Sequence, residues 1–280
     1  TTKGYVDWCK GEALFLRAFA DMRLWDGYRK APNQTKRIAT IDETSLPPSH
    51  GFELLNQAIS DFEQAETLLP DSWEAKYKGR AFKNSARGML VKCYMLRANY
   101  ADQYEGGNRT QDYKNAIAAF ERIDSKESSI EGVPFGSNFD YRTENNKESL
   151  FEYQAGHNPQ KEDNPWLNAN FGGGSGSVGT YYSYYWENYY TISSIFGPTA
   201  KLVKAFETGD PRKDETVTTN IQWTSTWDSF DGYQFIKYIN GERRGELDNK
   251  YRITSSNNPR ILRLADVKLL AAEAYFQTGS

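Results

Sequence analysis

GFELLNQAISDFEQAETLLP, residues 51–70, reads as a single helix whose internal spacing decides the fold. Ala58, Phe62 and Ala65 follow one another at steps of four and three and so share one face. Pro70 ends the helix because it has no N–H to continue the ladder and its ring clashes with the preceding turn. Small residues at 58 and 65 let a neighbouring helix come close, and the phenyl ring fills the gap. These offsets are those of the second helix of a tetratricopeptide repeat.

Working outward, residues from about Gly4 to Trp25 are predicted to form a helix. Trp8, Cys9, Ala13, Leu16, Phe19, Ala20 and Leu24 recur at three- and four-residue steps as its apolar stripe, and Gly27 and Pro32 mark its end. A third helix spans about Ala81 to Tyr104, with Phe82, Ala86, Met89, Cys93, Leu96, Tyr100 and Tyr104 along one face. A fourth, Tyr113 to Ile123, repeats the Ala-x3-Phe pair at Ala116 and Phe120. The first half therefore reads as helix hairpins stacked as repeats.

From Glu127 the character changes. Residues 149–156, SLFEYQAG, and 234–239, QFIKYI, alternate in strand fashion, and TAKLVKAFETG near Pro198 is one short helix. Helical pattern returns at Leu262–Phe276, whose face of Leu264, Val267, Leu270, Ala271 and Ala274 is expected to lack part of its cover. The predicted fold is mainly α: a tetratricopeptide-like helix-hairpin scaffold with a large loop-rich region and a few short strands. Its expected division is a scaffold over 1–126, a ligand-binding region over 127–261 and a returning scaffold helix over 262–280.

Aromatic residues make up 15% of the 280, with 19 Tyr, 15 Phe and 7 Trp, and they are the compositional outlier. A net charge of -3 supplies no basic footprint for nucleic acid. Cys9 and Cys93 sit in apolar helical patterns, far from zinc-ligand spacing, and read as small hydrophobes. No run of apolar residues is long enough to span a membrane as a helix. Neither a metal nor a cofactor is expected.

Part of the aromatic excess is concentrated in PWLNANFGGGSGSVGTYYSYYWENYYTISSIF, residues 165–196. A Gly/Ser tract over Gly172–Gly179 leads into seven aromatics within residues 181–190. A core strand or helix would use Val, Ile and Leu, whereas Tyr and Trp offer an apolar face with a polar edge. Such a surface suits a ligand that is both greasy and hydroxylated, as a sugar is. Trp166, Asn170, Tyr181, Tyr182, Tyr184, Tyr185, Trp186 and Tyr189 are the candidate ligand-binding residues. Alternation along 181–190 sends some of these rings inward. The structural alternative is a flexible linker followed by an amphipathic segment packed on the core.

Catalytic and nucleotide-binding readings fare less well. Gly174–Gly179 matches G-x-G-x-x-G, but NANF precedes it and a Tyr cluster follows, where a dinucleotide fingerprint requires a strand and a helix. His50 and His157, the two histidines, lie in no metal-binding spacing. Glu162, Asp163 and Glu187 lie near the aromatic stretch, so a glycoside hydrolase using two carboxylates across a sugar cleft is one alternative. With 37 acidic residues in the chain, some carboxylate beside any loop is expected. An intracellular tetratricopeptide scaffold that binds peptides is another alternative, and it leaves the Gly/Tyr stretch unexplained.

Four blocks in order, GEALFLRAFADMRLWDGYRKAP (11–32), AFKNSARGMLVKCYMLRANYAD (81–102), AFETGDPRKDET (205–216) and RLADVKLLAAEAYFQTGS (263–280), resemble the SusD/RagB family of outer-membrane nutrient-binding proteins. The resemblance implies a tetratricopeptide-like scaffold with a loop-rich glycan-binding region. It also implies a non-enzymatic, lipid-anchored protein at the bacterial surface that binds oligosaccharide or polysaccharide and caps a SusC-like TonB-dependent transporter. Against the family pattern, an N-terminal lipoprotein region and C-terminal helices are missing, so the chain is expected to be a fragment.

Overall fold

The computed structural model describes residues 2–154, 198–219, 233–235, 237 and 258–280. Among them are six α-helices: α1 (Thr2–Tyr28), α2 (Glu53–Leu68), α3 (Lys83–Asn99), α4 (Arg109–Glu121), α5 (Ala200–Ala205) and α6 (Leu264–Thr278). Four short strands accompany them: β1 (Ser149–Glu152), β2 (Val217–Thr218), β3 (Gln234–Phe235) and β4 (Arg260–Arg263). The protein is mainly α, as its sequence predicts. The chain divides into two compact units, one of residues 1–131, 147–151 and 262–280, the other of residues 132–146 and 152–261.

In the first unit each helix packs on the next in sequence: α1 on α2, α2 on α3, α3 on α4. The helix α6 returns to pack on α4 and α3. This is the stacking of consecutive helix hairpins that the repeat pattern calls for. Ala58, Phe62 and Ala65 of α2 are fully buried, and the Phe62 ring meets Phe15 of α1 edge-on at 5.3 Å between centroids. Around Trp25 a second aromatic cluster forms from Phe52, Tyr100 and Tyr104, with the indole N–H donating to Gly51 O at 2.7 Å.

Three sequence expectations are corrected. In α1 the buried positions are Gly11, Phe15, Ala18, Asp21, Met22 and Trp25, whereas Leu16 (55% exposed), Leu24, Trp8, Ala13 and Ala20 lie outward. The helix carries apolar residues on two faces, and α2 covers the one that the spacing argument passed over. Leu262 and Arg263, expected to open the last helix, instead close β4. Finally, Leu264, Val267, Ala271 and Ala274 of α6 are buried and Leu270 is half-buried, so most of that face is covered, with α6 packed on α3 and α4. Its exposed apolar side chains are instead Leu269 and Phe276.

Gly88, in the middle of α3, shows how tightly this unit is assembled. A Cβ built there would stand 2.8 Å from a Leu262 methyl, 2.9 Å from one of Leu150 and 3.3 Å from one of Val267. Glycine costs about 1 kcal/mol of helix propensity against alanine; here its missing side chain is what lets these residues of β1, β4 and α6 close on α3. Ser85 secures the same approach: its Oγ accepts from Phe82 N at the helix start and donates to Leu150 O.

β1 and β4 pair with each other. Tyr153 N–H donates to Pro259 O past one end of the pair and Leu264 N–H to Glu148 O past the other, so the strands run antiparallel, with Glu152 beside Arg260. In the second unit β2 pairs antiparallel with β3, Val217 opposite Phe235 and Thr218 opposite Gln234.

Candidate functional site

The second unit holds the long excursion between β1 and β4, and its described residues show how the two ends of that excursion are fixed. Glu152, last residue of β1, has a fully buried side chain, and that of Arg260, first residue of β4, is 1% exposed; their ion pair is 3.2 Å long. Burying both charges is tolerable only when hydrogen bonds surround them, and the neighbours supply several. Glu152 Oε1 accepts from Asn145 N and Oε2 from Asn258 Nδ2. The Arg260 guanidinium donates to Asn258 O at 2.6 Å and to Asp140 O at 3.2 Å. Asn145 occupies the left-handed region, φ 50°, which asparagine adopts more readily than most residues, and this aims its N–H at Glu152. Gln154 and Asn145 exchange side-chain hydrogen bonds one step further out.

Glu144 completes this clasp by accepting from Asn258 N at 2.6 Å. Burial pushes its carboxyl up to about 7, with the Glu152 and Asp140 charges adding to the push, while the Asn258 N–H and Arg260 oppose it. The sequence reading missed Glu144, Glu152, Asn258 and Arg260. The available signal was a charged residue at an inward position of each of two short apolar strands, SLFE and RILR.

Tyr153, immediately after the clasp, is 42% exposed and presents an aromatic face. Farther along, Thr199 caps α5 by accepting from Leu202 N, and the turn that follows, Phe206–Asp214, encloses a hollow of about 340 Å³. Within it Asp210 is committed to Arg212, whose guanidinium and backbone N–H it binds; these bonds hold its carboxyl below the usual range. Glu207, Thr208, Lys213 and Asp214 also line the hollow and supply polar groups of the kind that hydrogen-bond hydroxyls. Lys213 Nζ also stands 5.4 Å from the Tyr233 ring centroid.

All eight predicted ligand-binding residues, Trp166, Asn170, Tyr181, Tyr182, Tyr184, Tyr185, Trp186 and Tyr189, lie outside the described residues. The same holds for Glu162, Asp163, Glu187, His157 and the Gly172–Gly179 tract. Among the described residues no three His, Cys, Asp or Glu side chains are grouped so as to hold a metal ion, and no helix is long and apolar enough to cross a membrane.

Stacked helix hairpins define a tetratricopeptide-like scaffold. Comparison with known proteins narrows this to the SusD-like fold. Residues 1–95 match the family model SusD-like_3, described as "Starch-binding associating with outer membrane". A structure solved with a xylogluco-oligosaccharide superimposes with a TM-score of 0.73 at 21% identity, over 98% of this chain and 55% of that one. A laminarin-binding SusD-like protein gives 0.71 at 20% identity over 97% and 60%, and a SusD-like protein from Bacteroides fragilis 0.71 at 19% over 99% and 59%. The SusD/RagB resemblance seen in the sequence is thus borne out by a family model and by solved structures alike. The chain spans between 55% and 60% of the length of these structural matches. No curated protein matches the chain in sequence.

Proposed function

We propose that the chain is a glycan-binding, non-hydrolysing component of the bacterial cell surface. It captures oligosaccharides and passes them to a SusC-like TonB-dependent transporter in the outer membrane, to which a lipid anchor outside these residues holds it close. The observation that carries this reading is the agreement of two independent matches: a starch-binding, outer-membrane family model on the first 95 residues, and SusD-like structures over nearly the whole chain. Two of those structures have glycan in their descriptions, xylogluco-oligosaccharide in one and laminarin in the other. Sugars offer CH-rich faces for aromatic rings and hydroxyls for polar edges, the division of labour that ligand sites generally use.

The binding residues in this proposal are those of the aromatic stretch, and calorimetry tests it. Taking a sugar face on Trp or Tyr to be worth roughly the lower part of the 1–3 kcal/mol of a base stacked on an aromatic, Trp186→Ala or Tyr182→Ala is expected to weaken glycan binding about tenfold. The melting temperature should hardly change. Unchanged affinity with a melting temperature several degrees lower would make these rings core. Release of reducing ends, abolished by Glu187→Gln, would replace the binding protein with a hydrolase. Affinity purification from the native envelope should recover a TonB-dependent barrel.

A further inference from the structure

A second aromatic surface lies on the helical unit, in residues that the glycan reading does not use. Near the start of α1, Tyr5 is 61% and Trp8 38% exposed; in the α2–α3 connection Tyr77 is 42% exposed and Trp73 half-buried. The Trp8 and Trp73 rings meet edge-on at 5.4 Å and Trp73 and Tyr77 at 6.0 Å, so three rings form a continuous run.

This run is held rigidly. Trp73 Nε1–H donates to Ala81 O at 2.8 Å, which fixes the indole. The Arg80 guanidinium sits 4.8 Å from the Trp73 centroid and 5.7 Å from that of Tyr77, while a two-point ion pair to Glu12 locks it in place. Arg80, held by Glu12, thus braces the Trp73 and Tyr77 rings, and Tyr5, three residues before Trp8, shares its face of α1. The indole hydrogen bond fixes Trp73, the ring at the centre of the run, and the bidentate pair fixes the guanidinium beside it. Because the rings are already ordered, a ligand laid on them is spared most of the usual cost of immobilising side chains.

We propose that this platform is a second carbohydrate-binding surface, which takes the CH face of a neutral polysaccharide chain independently of the 165–196 stretch. The inference rests on the glycan-binding reading and adds to it a purpose: a second foothold on one long chain raises retention by multivalency, whereas a short oligosaccharide occupies one at a time. A neutral chain is favoured because the two cations that stand over these rings are already matched, Arg80 with Glu12 and Lys76 with Glu74.

The test is affinity electrophoresis of the 280-residue chain through gels containing starch, laminarin or xyloglucan, comparing wild type, Tyr5→Ala/Tyr77→Ala and Trp186→Ala. Both changes of the first variant are at well-exposed positions, so its melting temperature should stay within a few degrees of wild type. It should bind the retaining polysaccharide about tenfold more weakly, the loss of ~1.4 kcal/mol, with affinity for a short oligosaccharide reduced less. Retention that survives this variant but is lost in Trp186→Ala overturns the platform and leaves the glycan reading intact. Failure of the wild type to be retained by any of the three overturns both. Unchanged retention, with a wild-type self-association that sedimentation shows to be lost in the variant, assigns the surface to protein contact and also overturns the proposal.

Discussion

Replacing Glu152 by Gln is expected to be among the most damaging conservative changes in this protein. The substitution keeps the shape and one acceptor oxygen, yet it leaves Arg260, 1% exposed, as a buried cation without its counter-charge. Removing one partner of such a pair costs about 3–5 kcal/mol. For domains of about 150–250 residues 1 kcal/mol is worth roughly 2–4 °C, so the melting temperature should fall by about 10 °C. Arg260→Met should cost a similar amount, because it leaves the carboxylate uncompensated and takes donors from Asn258 O and Asp140 O. Combined, the two changes remove both charges, and the double variant should be more stable than either single one, with a coupling of at least ~2 kcal/mol in urea unfolding. Additive losses, or single losses below about 1 kcal/mol, would refute the idea that the clasp is a mutually dependent pair.

Two further expectations come from the helical unit. Asp21 is 8% exposed, its Oδ2 has no hydrogen-bond partner among the described residues, and burial, together with the Asp61 charge, pushes its carboxyl from 3.8 up to about 6 against the pull of Arg17. A raised carboxyl favours the folded state when protonated; that contribution is complete below pH 3.8 and lost as pH rises through about 6. Asp21→Asn should therefore stabilise the protein by about 1–3 kcal/mol at pH 8 and flatten the dependence of its melting temperature between pH 4 and 7; a destabilised variant with unchanged pH dependence would contradict this. Gly88→Ala should lose about 1–3 kcal/mol to overpacking against Leu150 and Leu262, more than it regains in helix propensity, and an increase in urea midpoint would mean that the strands stand farther from α3.

The parts of the fold legible in the sequence are those where burial imposes a local period. The residues Ala58, Phe62 and Ala65 could be read because one helix face must meet a partner, and all three are fully buried. The extent of α1 was equally readable, but its buried face was not, since Phe15/Ala18/Met22/Trp25 and Ala13/Leu16/Ala20/Leu24 are apolar stripes of similar spacing. Which stripe is covered depends on where α2 lies, and that is a long-range fact. The end of β4 is hidden for a related reason: Leu262 continues the apolar run of α6, and only pairing with β1, more than a hundred residues earlier, makes Leu262 and Arg263 strand. The aromatic stretch has a composition that suggests chemistry but no period from which its inward and outward rings can be sorted.

The signal at Glu152 and Arg260 is easily misread, because charges in a strand normally mark the solvent face and here they mark the opposite. Their burial has a structural use that an apolar pair could not serve. A two-residue slip between β1 and β4 would keep every side chain on its own face, so hydrophobic patterning opposes it only weakly. That slip would take Glu152 away from Arg260 and Asn258 and leave both charges buried and unpaired, at a cost of several kcal/mol. The ion pair therefore discriminates between registers more than it adds stability. Register matters most at this point of the chain, because the strands β1 and β4 are where the excursion carrying the proposed binding residues begins and ends. An apolar substitute such as Glu152→Leu/Arg260→Leu could then match the wild type in stability and still lose the uniqueness of the pairing on which a fixed binding surface depends.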